Sequence, residues 1–458
     1  MIRRTLSCLS VLLLVFSAAN SSDVPEQIHL ALGSRPNSMV VQWVTVGRFQ
    51  PMPAVWFGRD PHDLSTRESA DVEVFNFNGI VRYMYTAELM NLEFNTTYYY
   101  RVGNETVQSS RYDFRTFPDG DFKYRVAIFG DLGLDNGVSA YYLKKAAERR
   151  EFDLYVHVGG NSHYSSLFNP LTLALLDISY DLHTNDGLVG DEYMRGMEEV
   201  FARFPYMVIA GNHEDDGKNY SNYVNRFRMP NSPFYDSQVY SFDLGPIHWI
   251  GLSTEYYGFF YEYGHLPVLN QYQWLQQDMK KANANRDQTP FMIAFYHRPL
   301  YCSNTNSFEC GSFENRLVRV GFEDMPGLES LFYENELDLG FAGHEHSYER
   351  FWPVYDRKVF NQTADPYRNA AAPVYVISGS AGCHSPNALF NKTEISVQQG
   401  SPQRIDSFWL QRDAAVPPMA VRAARQSFVE YPPFEEPTEC NLQDPRCKEQ
   451  KFGRKWEG

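Results

Sequence analysis

Phe341-Ala342-Gly343-His344-Glu345-His346-Ser347-Tyr348 is the stretch whose reading decides the fold. It follows a short apolar run, Leu337 to Phe341, which reads as a buried strand. Two imidazoles two residues apart, just past a strand end and behind a glycine, can face two different metal ions. The spacing excludes the helical zinc-protease motif, whose histidines sit one helical turn apart. Taken alone, the stretch reads as a turn with two surface histidines. Its weight comes from the other strand ends.

Working outward, Tyr124 to Phe129 reads as a strand and is followed by Gly130-Asp131-Leu132-Gly133. Tyr206 to Ala210 is followed by Gly211-Asn212-His213-Glu214, and Phe291 to Tyr296 by His297-Arg298-Pro299. Helical patterns run over Val138 to Arg150, Leu188 to Phe204, Gln271 to Asn285 and Leu328 to Asn335. Further strands are expected at Phe152 to Val158 and Val374 to Ile377. Val239 to Leu244 and Ile247 to Leu252 read as a hairpin closed at Gly245-Pro246. This alternation predicts an α/β layered domain, whose ligand sites favour the carboxyl ends of strands. Each motif alone is an ordinary turn or cap. Four of them in order supply carboxylate, amide oxygen and imidazole, a donor set suited to iron, manganese or zinc. One further carboxylate is needed to bridge two metals.

The preceding residues, 23–117, read as all-β. Val41 and Trp43 alternate on one face, as do Tyr98, Tyr100 and Val102, with turn residues at short intervals. Leu92 to Tyr100 is similar to the tyrosine corner of a fibronectin type III sandwich. Phe117-Pro118-Asp119-Gly120 is a turn and a domain boundary, so the α/β domain is expected over 121–413. From Ala414 to residue 458, Pro417, Pro418, Pro432, Pro433 and Pro437 predict an extended tail.

Residues 1–22 read as a secretory signal: Arg3-Arg4, then apolar Leu9 to Phe16, then Ser17-Ala18-Ala19. No stretch is long enough to span a membrane. Removing the signal takes two of 41 basic residues and none of 56 acids, so 39 − 56 gives a net charge of −17. That balance argues against nucleic-acid binding. Secreted or lysosomal-lumen localisation is expected, and oligomeric state is not legible. Asn95, Asn104, Asn219, Asn361 and Asn391 are glycosylation sequons. Cys302/Cys310 and Cys440/Cys447 are spaced as local disulfides, which leaves Cys383 over.

The motifs in this order resemble the purple acid phosphatases, of the dinuclear metallophosphoesterase superfamily, in the plant-like branch with an added N-terminal β-domain. The resemblance runs from about residue 24 to 413 and implies an enzyme that hydrolyses small phosphomonoesters. It implies Fe(III) on Asp131, Asp177, Tyr180 and His346, and a divalent iron, zinc or manganese on Asn212, His297 and His344. Asp177 would bridge the two, and hydroxide formed on the metals would attack phosphorus. His213 would contact phosphate and protonate the leaving oxygen. The loop from Tyr301 to Cys310 would border the substrate. Phosphodiesterase or nucleotide pyrophosphatase activity on the same core is the alternative enzyme reading. An inactive binding glycoprotein is the alternative outside catalysis.

One motif is interrupted. The strand ending Val158-Gly159 runs into Gly160-Asn161-Ser162, and the expected Asp-x-x-Tyr stands later, as Asp177-Ile178-Ser179-Tyr180. Excising residues 160–176 restores Gly-Asp-Ile-Ser-Tyr. Gly160-Asn161 can be encoded with a GTAA donor and Leu176-Asp177 with an AG acceptor, and splicing between them yields an in-frame aspartate codon. Residues 160–176 are therefore expected to be retained intron, with a true looped-out insertion as the alternative. After Cys383 the resemblance weakens, as though a core-sheet segment were missing.

Overall fold

The computed structural model describes residues 23–133, 137–160, 182–234, 236–304, 310 and 313–382. Residues 23–117 form two four-stranded antiparallel sheets. The Met39–Val46 strand shows why they stack. Val41 and Trp43 point into the core between the sheets, with Ile28, Leu30, Tyr85 and Tyr100. Val40, on the opposite face, joins the core of the following domain together with Ala31 and Leu32. A strand buried on both faces loses the polar alternation of a solvent-facing sheet. Here the α/β domain covers Val40 on the second face, and Phe75, Phe77 and Met84 cover Val44.

The seam between the two domains also holds a buried ionic cluster. Asp191, on the Leu188–Phe201 helix, accepts from Arg82 Nε at 2.9 and 3.0 Å and from Arg82 Nη2 at 2.8 Å. It pairs with Arg226 Nη1 at 2.8 Å and accepts from Gln27 Nε2 at 3.1 Å. The side chains of Arg82 and Asp191 are 0% exposed and that of Arg226 1%. Burial alone would raise the Asp191 pKa, but the charges of Arg226 and Arg82 outweigh it and hold the carboxyl below its ordinary value. Tyr100 adds a hydroxyl bond to Ala202 O at 2.7 Å.

The α/β domain contains two sheets whose strand ends converge. In the smaller one Val126–Phe129, Leu154–Val158 and Tyr206–Ile209 run parallel. In the larger, six-stranded sheet Ile247–Gly251, Phe291–Phe295, Leu339–Ala342 and Val374–Ser378 run parallel. Tyr240–Leu244 and Tyr348–Arg350 close its edges antiparallel. The long apolar side chains of these strands merge into one core.

The expected strands and helices match the observed ones within a few residues, with one exception. The helix expected from Gln271 begins at Leu266 and ends at Ala284. Pro267 occupies the first turn, where a missing N–H costs nothing. The Cys302–Cys310 disulfide is formed, with Cα atoms 5.5 Å apart. Among the described residues no helix is long and apolar enough to cross a membrane.

Candidate metal centre

Parallel strands in register deliver their next residues to one edge. Phe129 pairs with His157, and His157 with Val208, so Asp131, Gly159 and Ala210 leave the small sheet at one level, with Gly211 one residue on. Phe295 pairs with Phe341, which brings His297 level with Gly343. Backbone bonds then lock the ends together. Asp131 N donates to Gly159 O at 2.8 Å and Gly343 N to His297 O at 3.0 Å. Gly130 N donates across the sheets to Ser378 O at 2.7 Å.

Where the sheets meet, side chains have little room. A Cβ on Gly343 would stand 2.8 Å from Val158 O and 2.9 Å from Asp131 Oδ2, so only glycine fits before His344. Asp131 and His344 both hold left-handed backbone, with φ of 60° and 68°. For a residue like histidine that costs about 1–3 kcal/mol and persists where surrounding structure enforces it.

Six of the predicted site residues are described. Asp131, His297, His344 and His346 are buried, and Asp131 and His297 are 0% exposed. Asp131 Oδ2 accepts from His344 N at 2.9 Å, and Asp131 Oδ1 lies 3.8 Å from His346 Nε2. The His297 and His344 rings cross edge-on, 5.1 Å between centroids. Asn212 and His213 begin a single 3₁₀ turn, Asn212–Glu214. His213 is half-buried beside Asn212. Asp177 and Tyr180 lie outside the described residues.

The Asn212–His297 contact tests the fit to a cation. His297 Nδ1 lies 2.7 Å from Val158 O, which can only accept, so Nδ1 carries the proton. Burial, partly offset by that bond, holds the His297 pKa well below its ordinary value, so the ring is neutral. Its Nε2 lone pair then faces Asn212 Oδ1 at 2.8 Å. Either the Asn212 amide turns its Nδ2–H to that lone pair, or a cation sits between Nε2 and Oδ1. Adjacent ligands of one ion, each about 2.1 Å from it, stand roughly 3 Å apart. The donors fit such an ion.

Sequence reading missed the groups that hold this edge in place. Glu214, 0% exposed, accepts from Gly211 N at 2.7 Å and from Gly160 N at 3.2 Å, tying two strand ends together. A Glu three residues past the cap position of a helical turn, whose side chain returns to the cap N–H, is the spacing of a capping box. Glu345 and Glu349 are likewise fully buried.

Comparison with known proteins places the chain. Residues 25–116 match the purple acid phosphatase N-terminal domain, and residues 124–348 match the calcineurin-like phosphoesterase domain. Acid phosphatase type 7 of Homo sapiens is 37% identical, over 89% of this chain and 96% of its own. The chain belongs to the purple acid phosphatase family. Within that family, purple acid phosphatase 23 of Arabidopsis thaliana is 29% identical over 81% of this chain and 85% of its own. The solved purple acid phosphatase from yellow lupin seeds shares the fold, with a TM-score of 0.64 at 22% identity, covering 82% of this chain and 67% of the lupin chain.

The sequons fall in different settings. Asn95, Asn219 and Asn361 are exposed. Asn104 is buried, its Oδ1 accepting from Thr106 N at 2.9 Å and Val107 N at 2.8 Å. Asn391, Cys383, Cys440 and Cys447 lie outside the described residues, as do residues 161–176 and the stretch after Cys383.

Proposed function

We propose that this chain is a secreted acid phosphatase that hydrolyses phosphomonoesters at a dinuclear metal centre. Family membership supports the reaction class. The observation that carries the site is the convergence of Asn212 and His297, 2.8 Å apart, with buried Asp131, His344 and His346 at the same strand-end edge. Fe(III) is assigned to Asp131, Asp177, Tyr180 and His346. A divalent iron, zinc or manganese is assigned to Asn212, His297 and His344, with Asp177 bridging. When bound, two such cations neutralise phosphate oxygens and lower the pKa of water.

The chain's own groups do the rest. Val158 O fixes the His297 tautomer, so that Nε2 stays a donor of electrons. The Asp131 carboxylate, anchored on His344 N, holds the end of the Val126–Phe129 strand against that of Leu339–Ala342. Glu214 sets the turn that presents Asn212 and His213. His213 is assigned to the phosphate and to the leaving oxygen, to which its imidazolium would pass a proton as the alcohol departs.

The N-terminal domain is read as fibronectin type III-like, a reading supported by Tyr98 Oη accepting from Glu93 N at 3.0 Å, a tyrosine-corner bond. Residues 1–22 are assigned as a cleaved signal and Asn95, Asn219, Asn361 and Asn391 as glycan acceptors. Asn104 is a fifth acceptor on its sequon alone. Residues 160–176 are assigned to retained intron. The chain lacking them should bind two metals and hydrolyse phosphomonoesters, and the chain as written should bind the first metal poorly. Expressing both and measuring metal and activity decides this, and equal results would sink the intron assignment's chemistry. Comparing monoester with diester substrates tests the reaction class, and faster diester turnover would favour a phosphodiesterase.

A further inference from the structure

The segment leaving His297 does more than border the site. It runs through Tyr301 and Cys302 to Ser303 and Asn304, and Cys302 is bonded to Cys310. Asn304, 8% exposed, donates from Nδ2 to Glu345 Oε2 at 2.7 Å and to Glu349 Oε1 at 3.3 Å. Ser303 donates to Glu349 Oε2 from its backbone N at 2.7 Å and from Oγ at 3.0 Å. Ser347 Oγ completes the set on Glu349 Oε1 at 2.9 Å. Both carboxylates are 0% exposed. A Glu345 carboxylate oxygen also lies within 4.8 Å of the Cys302 and Cys310 sulfurs.

Glu345 stands between His344 and His346, and its peptide is held as tightly as its side chain. Glu345 N donates to Gly343 O at 2.8 Å, and Ser347 N to Glu345 O at 2.6 Å. A Cβ on Gly379 would meet Glu345 O at 2.2 Å. Asn304 Nδ2 reaches an oxygen of each carboxylate, from a segment closed by the Cys302–Cys310 disulfide.

We propose that Asn304 is a positioning residue. It ties the Cys302–Cys310 ring to Glu345 and Glu349, and through the Glu345 peptide it sets the directions in which His344 and His346 point. This rests on the assignment of those histidines to two metals. Groups that orient metal ligands alter affinity roughly 10–100-fold when lost.

The test uses the secreted protein expressed without residues 160–176 and three changes: Asn304→Leu, which keeps bulk and removes the donor; Glu345→Gln, whose amide oxygen still accepts; and Cys302→Ser with Cys310→Ser, which opens the ring. Metal per chain is measured after dialysis against a graded chelator, and thermal unfolding is measured on metal-stripped samples. Asn304→Leu and the ring-opened protein should lose metal at roughly tenfold lower chelator concentration, with kcat recovering in excess metal. Glu345→Gln should retain metal nearly as the unmodified protein does. If Asn304→Leu holds metal normally while its stripped form melts lower, Asn304 is only structural and the proposal falls, though the ligand assignments stand. If the unmodified protein holds no metal, the ligand assignments fall, and this inference with them.

Discussion

Replacing Asp191 by alanine would leave two guanidiniums buried at the domain seam without their shared carboxylate. The side chains of Arg82 and Arg226 are 0% and 1% exposed, so water cannot replace the lost charge. Removing one partner of a buried ion pair costs about 3–5 kcal/mol. Carbonyls soften the loss here, because Arg82 Nη2 also donates to Asp186 O at 2.9 Å and Arg226 Nη2 to Gly187 O at 3.0 Å. The expected loss is therefore near the low end, about 3 kcal/mol. The acid titration has a definite sign. Asp191 has a lowered folded pKa, so its contribution is present above its unfolded value and is lost as pH falls through the folded one. Urea unfolding of the mature protein, followed by tryptophan fluorescence at neutral pH and again in acid, measures both. The triple change Asp191→Leu, Arg82→Met, Arg226→Met removes every charge at once and should cost less than Asp191→Ala alone. A loss below about 1 kcal/mol for Asp191→Ala would mean that the cluster behaves as a solvated surface pair, and would refute the argument.

Three further outcomes are expected. His213→Ala should keep both metals and lose roughly 10²-fold in turnover, most for poor leaving groups; a variant arriving one metal short would make His213 a ligand instead. Tyr180→Phe should abolish a visible absorption band in the oxidised, iron-loaded protein; wild type that is colourless with a full iron complement would exclude a tyrosinate ligand. Burial alone would lower the His248 pKa, but its bonds to Asp243 at 2.6 Å and Asp278 at 2.9 Å raise it to about 9. A raised folded pKa stabilises fully below the unfolded value and is lost as pH rises from about 6.5 through 9, on the order of 3 kcal/mol in all. Urea midpoints at both ends of that range should therefore diverge in wild type and less so in His248→Gln, and equal divergence would contradict the assignment.

The strand-end edge was legible because each candidate ligand follows a short apolar run and, in most cases, a glycine. Parallel strands in register must bring such ends together, so local pattern carried long-range placement for Asp131, Asn212, His297 and His344. The groups that brace the edge left no such trace. Asn304 meets Glu345 across 41 residues, and Arg82 meets Asp191 across 109. In sequence these are ordinary polar residues, and only packing makes them buried partners. The Leu266 helix start was missed for a local reason, since proline marks both a break and a first turn.

Elemental analysis of the purified protein expressed without residues 160–176, paired with its rate on a phosphomonoester across pH, tests the metal centre most directly. The expected result is two metal ions per chain, at least one of them iron, and an activity maximum in the acid range that is lost when the metals are stripped. A well-folded protein that takes up no metal, or that hydrolyses the ester equally well without it, would contradict the assignment of Asp131, Asn212, His297, His344 and His346 as ligands.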